Sequence, residues 1–309
     1  MVSRPIKNLL TGLIDYAGLF PPSKLPMDPA VTEFARQRRS REAFILSRFI
    51  VPAAKLEEFE RALAGVPEVT DAEPEDLTDQ SGVVSGPWRL SVLVGGDMDA
   101  ARAKIDAFNR RNVGLAEADA IETKPASASD IVHTAAAFDG IEAFYELAYD
   151  RDPAPLMEVV AEHGGRVKIR TGGVTEDAFP EVSQVADFLF AARAAGLAFK
   201  ATAGLHHPLR GEYRLTYEEG CPSGTMHGFL NLFLAAAFVH QGELGIMDVK
   251  ELLGERSAGV LDFSSAGVSW RGHRLAADEL AATRRDFALS YGSCSVQEPV
   301  EEMHALRLL

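Results

Sequence analysis

Lys200 stands in the middle of an apolar run, Leu197-Ala198-Phe199-Lys200-Ala201-Thr202, which leads through Ala203-Gly204-Leu205 into His206-His207-Pro208. Side chains alternate along a strand, so Lys200 and Thr202 share one face and Phe199 and Ala201 the other. A lysine in an apolar strand is costly unless it is paired or used. Burial or nearby cations depress the pKa of a lysine and turn its amine into a nucleophile near neutral pH. Lys168 and Arg170, which share a face of the run 166–170, are placed to do this. Glu146 and His206 are candidates to move protons. The chemistry such a set supports is Schiff-base formation with a carbonyl compound, followed by carbon–carbon cleavage.

A second chemistry uses a divalent metal ion. His206, Glu146 and His227 offer imidazole and carboxylate ligands, enough for an open catalytic site. Adjacent histidines on an extended chain point to opposite sides, so His206 and His207 ligate together only if the loop turns. The lysine route, by contrast, needs no cofactor. A third reading has no catalysis: a barrel that binds a ligand, because fold does not fix function.

The elements that carry these residues alternate. Strand-like runs end near Asp15 and cover 44–51, 88–94, 116–122, 141–148, 166–170, 197–202 and 259–263. Helical patterns follow most of them, at 29–39, 55–64, 97–111, 127–138, 153–163, 181–195, 226–240 and 276–289. Asp28 reads as the cap of the first of these and Gly196 as a C-terminal stop. Strands separated by helices of this length imply parallel pairing. Eight units in 309 residues fit a (β/α)8 TIM barrel with insertions. The alternative is an open doubly wound sheet, but no Gly-x-Gly-x-x-Gly turn follows an early strand. An acidic, proline-bearing stretch at about 66–87 interrupts the pattern, which resumes unchanged, so the chain is expected to be one barrel domain with a loop insertion.

In such a barrel the active site lies at the C-terminal ends of the strands. The polar groups expected there are Asp15 and Tyr16, Arg48, Glu122 with Lys124, Glu146 with Asp150, Lys168 with Arg170, Lys200 with Thr202, and Asp262 with Ser264. Of these, Arg48, Glu122, Lys168, Arg170 and Thr202 are the candidates for substrate binding. The set looks cationic on balance. A cationic pocket in a chain of net charge -14 points to a small anionic metabolite, a carboxylate or a phosphate ester.

Val167-Lys168-Ile169-Arg170-Thr171-Gly172-Gly173, then a helix, then Ala198-Phe199-Lys200-Ala201-Thr202-Ala203-Gly204 resembles part of the deoxyribose-phosphate aldolase family. That family is a class I aldolase barrel with its Schiff-base lysine in a Phe-x-Lys-Thr-x-Thr-Gly strand. The resemblance implies that Lys200 is the Schiff-base lysine. It covers residues 166–204. The family's second lysine, in a following Lys-x-x-Gly-Gly strand, has no counterpart after Lys200. The opening Asp15-Tyr16-Ala17-Gly18-Leu19-Phe20-Pro21-Pro22 and the Gly292-Ser293-Cys294-Ser295 segment resemble a family of uncharacterised proteins, which implies no activity.

Composition sets the outer limits. Apolar residues at 47% and charged residues at 25% are ordinary for a soluble globular protein. The acidic balance argues against nucleic acid as a partner, since that requires a basic footprint. The longest apolar stretch, 229–239, contains Asn231 and is too short to span a bilayer, so no membrane partner is expected. Two cysteines make no disulfide framework and point to a reducing, cytoplasmic compartment. A homo-oligomer is left open. The reading is therefore a cytoplasmic aldolase-like lyase acting on a small anionic metabolite, with Lys200, Glu146 and His206 as its catalytic residues.

Overall fold

The computed structural model describes residues 2–66 and 86–309. A short helix, α1 (Arg4–Leu10), leads into β1 (Ile14–Tyr16), followed by α2 (Met27–Gln37). The chain then alternates through β2 (Leu46–Pro52), α3 (Leu56–Ala64), β3 (Trp88–Leu93), α4 (Met98–Arg111), β4 (Ala116–Thr123) and α5 (Ala128–Ala137). It continues with β5 (Glu142–Leu147), α6 (Ala154–Glu162), β6 (Arg166–Arg170), α7 (Val182–Ala194) and β7 (Phe199–Thr202). After β7 come a hairpin, β8 (Gly211–Arg214) and β9 (Ser223–Met226), and two helices, α8 (Phe229–Gln241) and α9 (Ile246–Gly254). A small antiparallel sheet follows, of β10 (Leu261–Phe263), β11 (Gly267–Trp270) and β12 (His273–Ala276). Then come α10 (Ala277–Asp286), β13 (Ala288–Ser293) and α11 (Gln297–Ala305).

Eight of these strands close into a parallel barrel, β1 to β7 in chain order with β13 between β7 and β1. The chain is a (β/α)8 barrel. Period-two alternation explains how it holds together. Phe49 of β2 turns outward and meets Tyr16, Phe34 and Phe59 at ring separations of 5.6, 5.5 and 5.1 Å. Phe199 of β7 meets Phe188, Phe233 and Phe287 in the same layer. Their strand neighbours Arg48 and Lys200 therefore project to the interior.

Helix ends follow local chemistry. The Asp97 carboxylate accepts the Ala100 N–H, and Ser127 with Asp130 forms a capping box at the start of α5. Gly242 ends α8 in the left-handed region, at φ 75°, where a side chain would be strained. Helix α8 is apolar on all sides, and every residue from Phe229 to Val239 is buried. A helix of that kind belongs inside a large core. No helix among the described residues is long and apolar enough to cross a membrane.

Several expectations need correction. The run 259–263 is a strand, but it belongs to the small antiparallel sheet, so Asp262 and Ser264 do not stand at the end of a barrel strand. The eighth barrel strand is β13, whose first residues fall within the expected helix 276–289; that helix stops at Asp286. The expected helix 226–240 starts at Phe229, because Ser223–Met226 pairs with Gly211–Arg214. Residue Asp28 lies inside α2, whose N-cap is Pro26. The acidic stretch expected as an insertion lies, over residues 67–85, outside the described residues.

Candidate active site

At mid-height of the barrel the interior is ionic. Lys168 and Lys200 are direct partners in the β6–β7 register. Their ammonium groups bind the two oxygens of one carboxylate: Lys168 Nζ lies 2.8 Å from Glu122 Oε2, and Lys200 Nζ lies 2.7 Å from Glu122 Oε1. Ser91 donates to Glu122 Oε1 at 2.7 Å. Lys200 also pairs with Asp15, whose Oδ2 accepts from Ser290 at 2.7 Å and whose Oδ1 accepts the Arg48 backbone N–H at 3.0 Å. Lys168 pairs with Glu146 at 2.8 Å. Arg170 and Lys124 reach the other Glu146 oxygen at 3.4 and 3.9 Å.

The network runs from a sealed end to an open one. Lys200 is 0% exposed, and its Nζ lies 5.2 Å from the centre of the Phe144 ring. Lys168 is 5% exposed. The Arg170 and Lys124 side chains, beyond Glu146, are 44% and 71% exposed. Gly292 of β13 lies on the register with Thr202, and a methyl group there would sit 3.3 Å from Thr202 Oγ1 and 3.2 Å from Ile50 Cδ1. The glycine keeps the space between those two side chains clear.

Charge in this interior is balanced. Asp15, Glu122 and Glu146 face Lys168, Lys200 and Arg170, and the excess cation is Lys124 at the rim. The expectation of a cationic interior missed Asp15 as a partner. Burial alone pushes the Asp15 carboxyl up, but Lys200 and Arg48 with the hydrogen bonds from Lys200 and Ser290 outweigh it, so its pKa lies below the usual value. Glu122 and Glu146 behave alike: burial raises them, and the lysines bring both down. Burial works against the Lys168 ammonium, but Glu122 and Glu146 reverse that and hold its pKa above the ordinary 10.5. The three carboxylates and the Lys168 ammonium are therefore each favoured in their charged forms.

Arg48 sits elsewhere. Its guanidinium pairs with Asp119 at 2.7 Å and Glu142 at 2.8 Å, and these are joined by Arg89 and Arg166. Glu142 and Arg166 are the first residues of their strands. This cluster therefore lies at the N-terminal end of the barrel, the face that serves stability rather than chemistry. The hydrogen bond of Arg48 to the lysine layer is made by its backbone N–H, while its charge acts on Asp15 through space.

The metal set expected from sequence is dispersed. Glu146 is bound to Lys168. His227 lies between Arg210, whose guanidinium donates to Nδ1 at 3.0 Å, and the Pro180 carbonyl, which accepts from Nε2 at 2.8 Å. Arginine only donates and a carbonyl only accepts, so the ring is the neutral Nε2–H form with both nitrogens engaged. Burial pushes the His227 pKa down to about 4, with Arg210 adding to it against the Pro180 carbonyl.

His206 and His207 both turn to helix α11. His206 Nδ1 lies 3.4 Å from Glu298 Oε2 and 3.9 Å from Cys294 Sγ. His207 Nδ1 lies 2.6 Å from Glu302 Oε1. Burial works against a charged His206, but Cys294 and Glu298 reverse it and raise its pKa to about 9. His206 is thus a cation at neutral pH, beside the lysine layer rather than within it.

Sequence reasoning placed Lys168, Lys200, Glu122, Glu146, Arg170 and Thr202 at neighbouring strand ends; the structure joins the first five in one network and sets Thr202 in register with Arg170. It passed over Ser91 and Ser290, which hold the carboxylates, and Glu298 and Glu302, which face the histidines. Alternation could have found Ser91, because it faces the same side of β3 as Leu93 and Arg89. No protein-family model matches this chain, and no curated protein matches it.

Proposed function

We propose that the protein is a Schiff-base carbon–carbon lyase acting on a small carbonyl compound that carries an anionic group. The observation that carries this reading is the sharing of Glu122 between two buried lysines. Of the two, Lys168 is the one a substrate can reach. Its amine lies on the side of the network that leads to solvent through Glu146 and Arg170, whereas Lys200 is closed in by Asp15, Glu122 and Phe144. This revises the role that resemblance assigns to Lys200.

In this mechanism the substrate anion pairs with Arg170 and Lys124 at the rim. Lys168 passes a proton to the carboxylate network and its amine adds to the carbonyl. Loss of water leaves a protonated imine on Lys168. When the substrate carries a hydroxyl on its β-carbon, cleavage of the bond between the α- and β-carbons sends its electron pair toward the imine and gives an enamine, while the β-hydroxyl gives its proton to Glu146 and the β-carbon leaves as one carbonyl product. Protonation of the enamine and hydrolysis release the second product and restore the lysine. Glu146, on the side of the network that leads to solvent, is the group placed to carry these protons. Lys200 keeps Glu122 ionised by holding its other oxygen.

Reductive trapping tests the proposal. The protein is treated with borohydride in the presence of a panel of small aldehydes and 2-oxo acids, and the label is mapped by mass spectrometry. A label on Lys168, absent in Lys168→Arg, is the expected result. A label on Lys200 would reverse the assignment. No label on either lysine with any member of the panel would leave the network as a polar core and overturn the reading.

A further inference from the structure

The loop after β7 and the first two turns of α11 form a second cluster, separate from the lysine layer. His207, Glu298 and Glu302 each offer one ligand atom, and these atoms lie within 4.8 Å of one another. His207 is buried, and the two glutamates are half-buried. Glu298 and Glu302 are one helical turn apart, so they share a face of α11. Two carboxylates on one face repel, and here His206 meets Glu298 and His207 meets Glu302.

The ligand side chains are held in place by others. The His207 ring stacks on Tyr213, with centroids 3.5 Å apart and planes 11° apart. Glu298 Oε2 is held by the Tyr217 hydroxyl at 3.1 Å and by His206 at 3.4 Å. Glu298 Oε1 carries no hydrogen bond among the described residues. Partners that orient the ligands of a metal are a regular part of such sites. A cavity of ≈ 400 Å³ adjoins the cluster, and Glu33, Glu298 and Glu301 line it. Three carboxylates on that wall make it an approach for cations rather than anions.

We propose that His207, Glu298 and Glu302 bind a divalent transition ion of the zinc or manganese type. One imidazole and two carboxylates suit these ions, with bonds of about 2.0–2.2 Å for zinc. Three protein ligands leave a coordination position open, and Glu298, which lines the cavity, sets the site at its edge. The ion ties the β7 loop to α11 across the C-terminal face of the barrel. Tyr217 and Tyr213 are positioning residues for the ligands.

The test uses the whole chain, freed of metal by a chelator, and Zn2+ or Mn2+ alone as the probe. Calorimetric titration and elemental analysis after dialysis should show one ion per chain. His207→Asn/Glu302→Gln should lose that ion, and Glu298→Gln, which keeps the helix and the side-chain shape, should lose it as well. Tyr217→Phe should weaken binding by about tenfold. Co2+ substitution should give visible absorption that the double variant lacks. No stoichiometric ion in the parent protein, or equal binding in the parent and in Glu298→Gln, would overturn the proposal. Neither result depends on the lysine chemistry.

Discussion

Lys168 and Lys200 face each other across the β6–β7 register, and each ammonium takes a different oxygen of Glu122. The arrangement ties the chemistry of one lysine to the charge of the other. It also makes the network a large element of stability, because several ions in it are almost wholly removed from water.

Removing Lys200 alone strands Asp15 as a buried charge and leaves Glu122 with Lys168 as its one cation. Lys200→Met is expected to cost about 3–5 kcal/mol, the usual scale for breaking a buried pair from one side. Adding Asp15→Asn removes the stranded charge and should recover part of the loss. Urea unfolding of the parent, the single variant and the double variant measures this. A double variant no more stable than Lys200→Met would show that the Asp15–Lys200 pair does not act as a unit.

Arg48 separates the base of the barrel from its mouth. Arg48→Met leaves Asp119 with Arg89 and Glu142 with Arg166, so the cluster is weakened without being emptied. A loss of stability is expected, while the site of reductive labelling stays the same. Urea midpoints and label mapping read the two effects separately. Loss of labelling in a folded Arg48→Met protein would place this arginine in the reaction.

The pH dependence has a signed expectation. A histidine whose folded pKa is depressed adds stability that is complete above its unfolded value and is lost as pH falls. His227 is lowered from 6.5 to about 4, so its contribution should decline between those limits. Asp15, Glu122 and Glu146 are also lowered, so the stability they add is lost at still lower pH, as each protonates in the folded state. Lys168 is raised, and its contribution is lost only as pH rises beyond 10.5. Urea midpoints from pH 7 to pH 4 should therefore fall in the parent and fall less steeply in His227→Asn. Parallel slopes would exclude His227 as the cause.

The sequence by itself determined the alternation of strands and helices, because apolar periodicity is a local property that survives without any partner. It also determined that Lys200 shares a face with Thr202 and Lys168 with Arg170, since period two fixes which residues share a face, but which face turns inward was decided by closure of the barrel. It could not determine the last barrel strand. Ala288 to Ser293 carries Ser290 and Gly292 inward where an apolar strand would carry branched side chains, and it follows α10 after a single residue. Nor could it say who pairs with whom. Asp15 and Lys200 are 185 residues apart, and only closure of the barrel between β13 and β1 brings them into contact. The same closure decided the charge of the interior: an ion is defined by its neighbours, and those neighbours come from different strands. His206 and His207 show the limit most plainly, because their partners lie on a helix that the chain forms some ninety residues later.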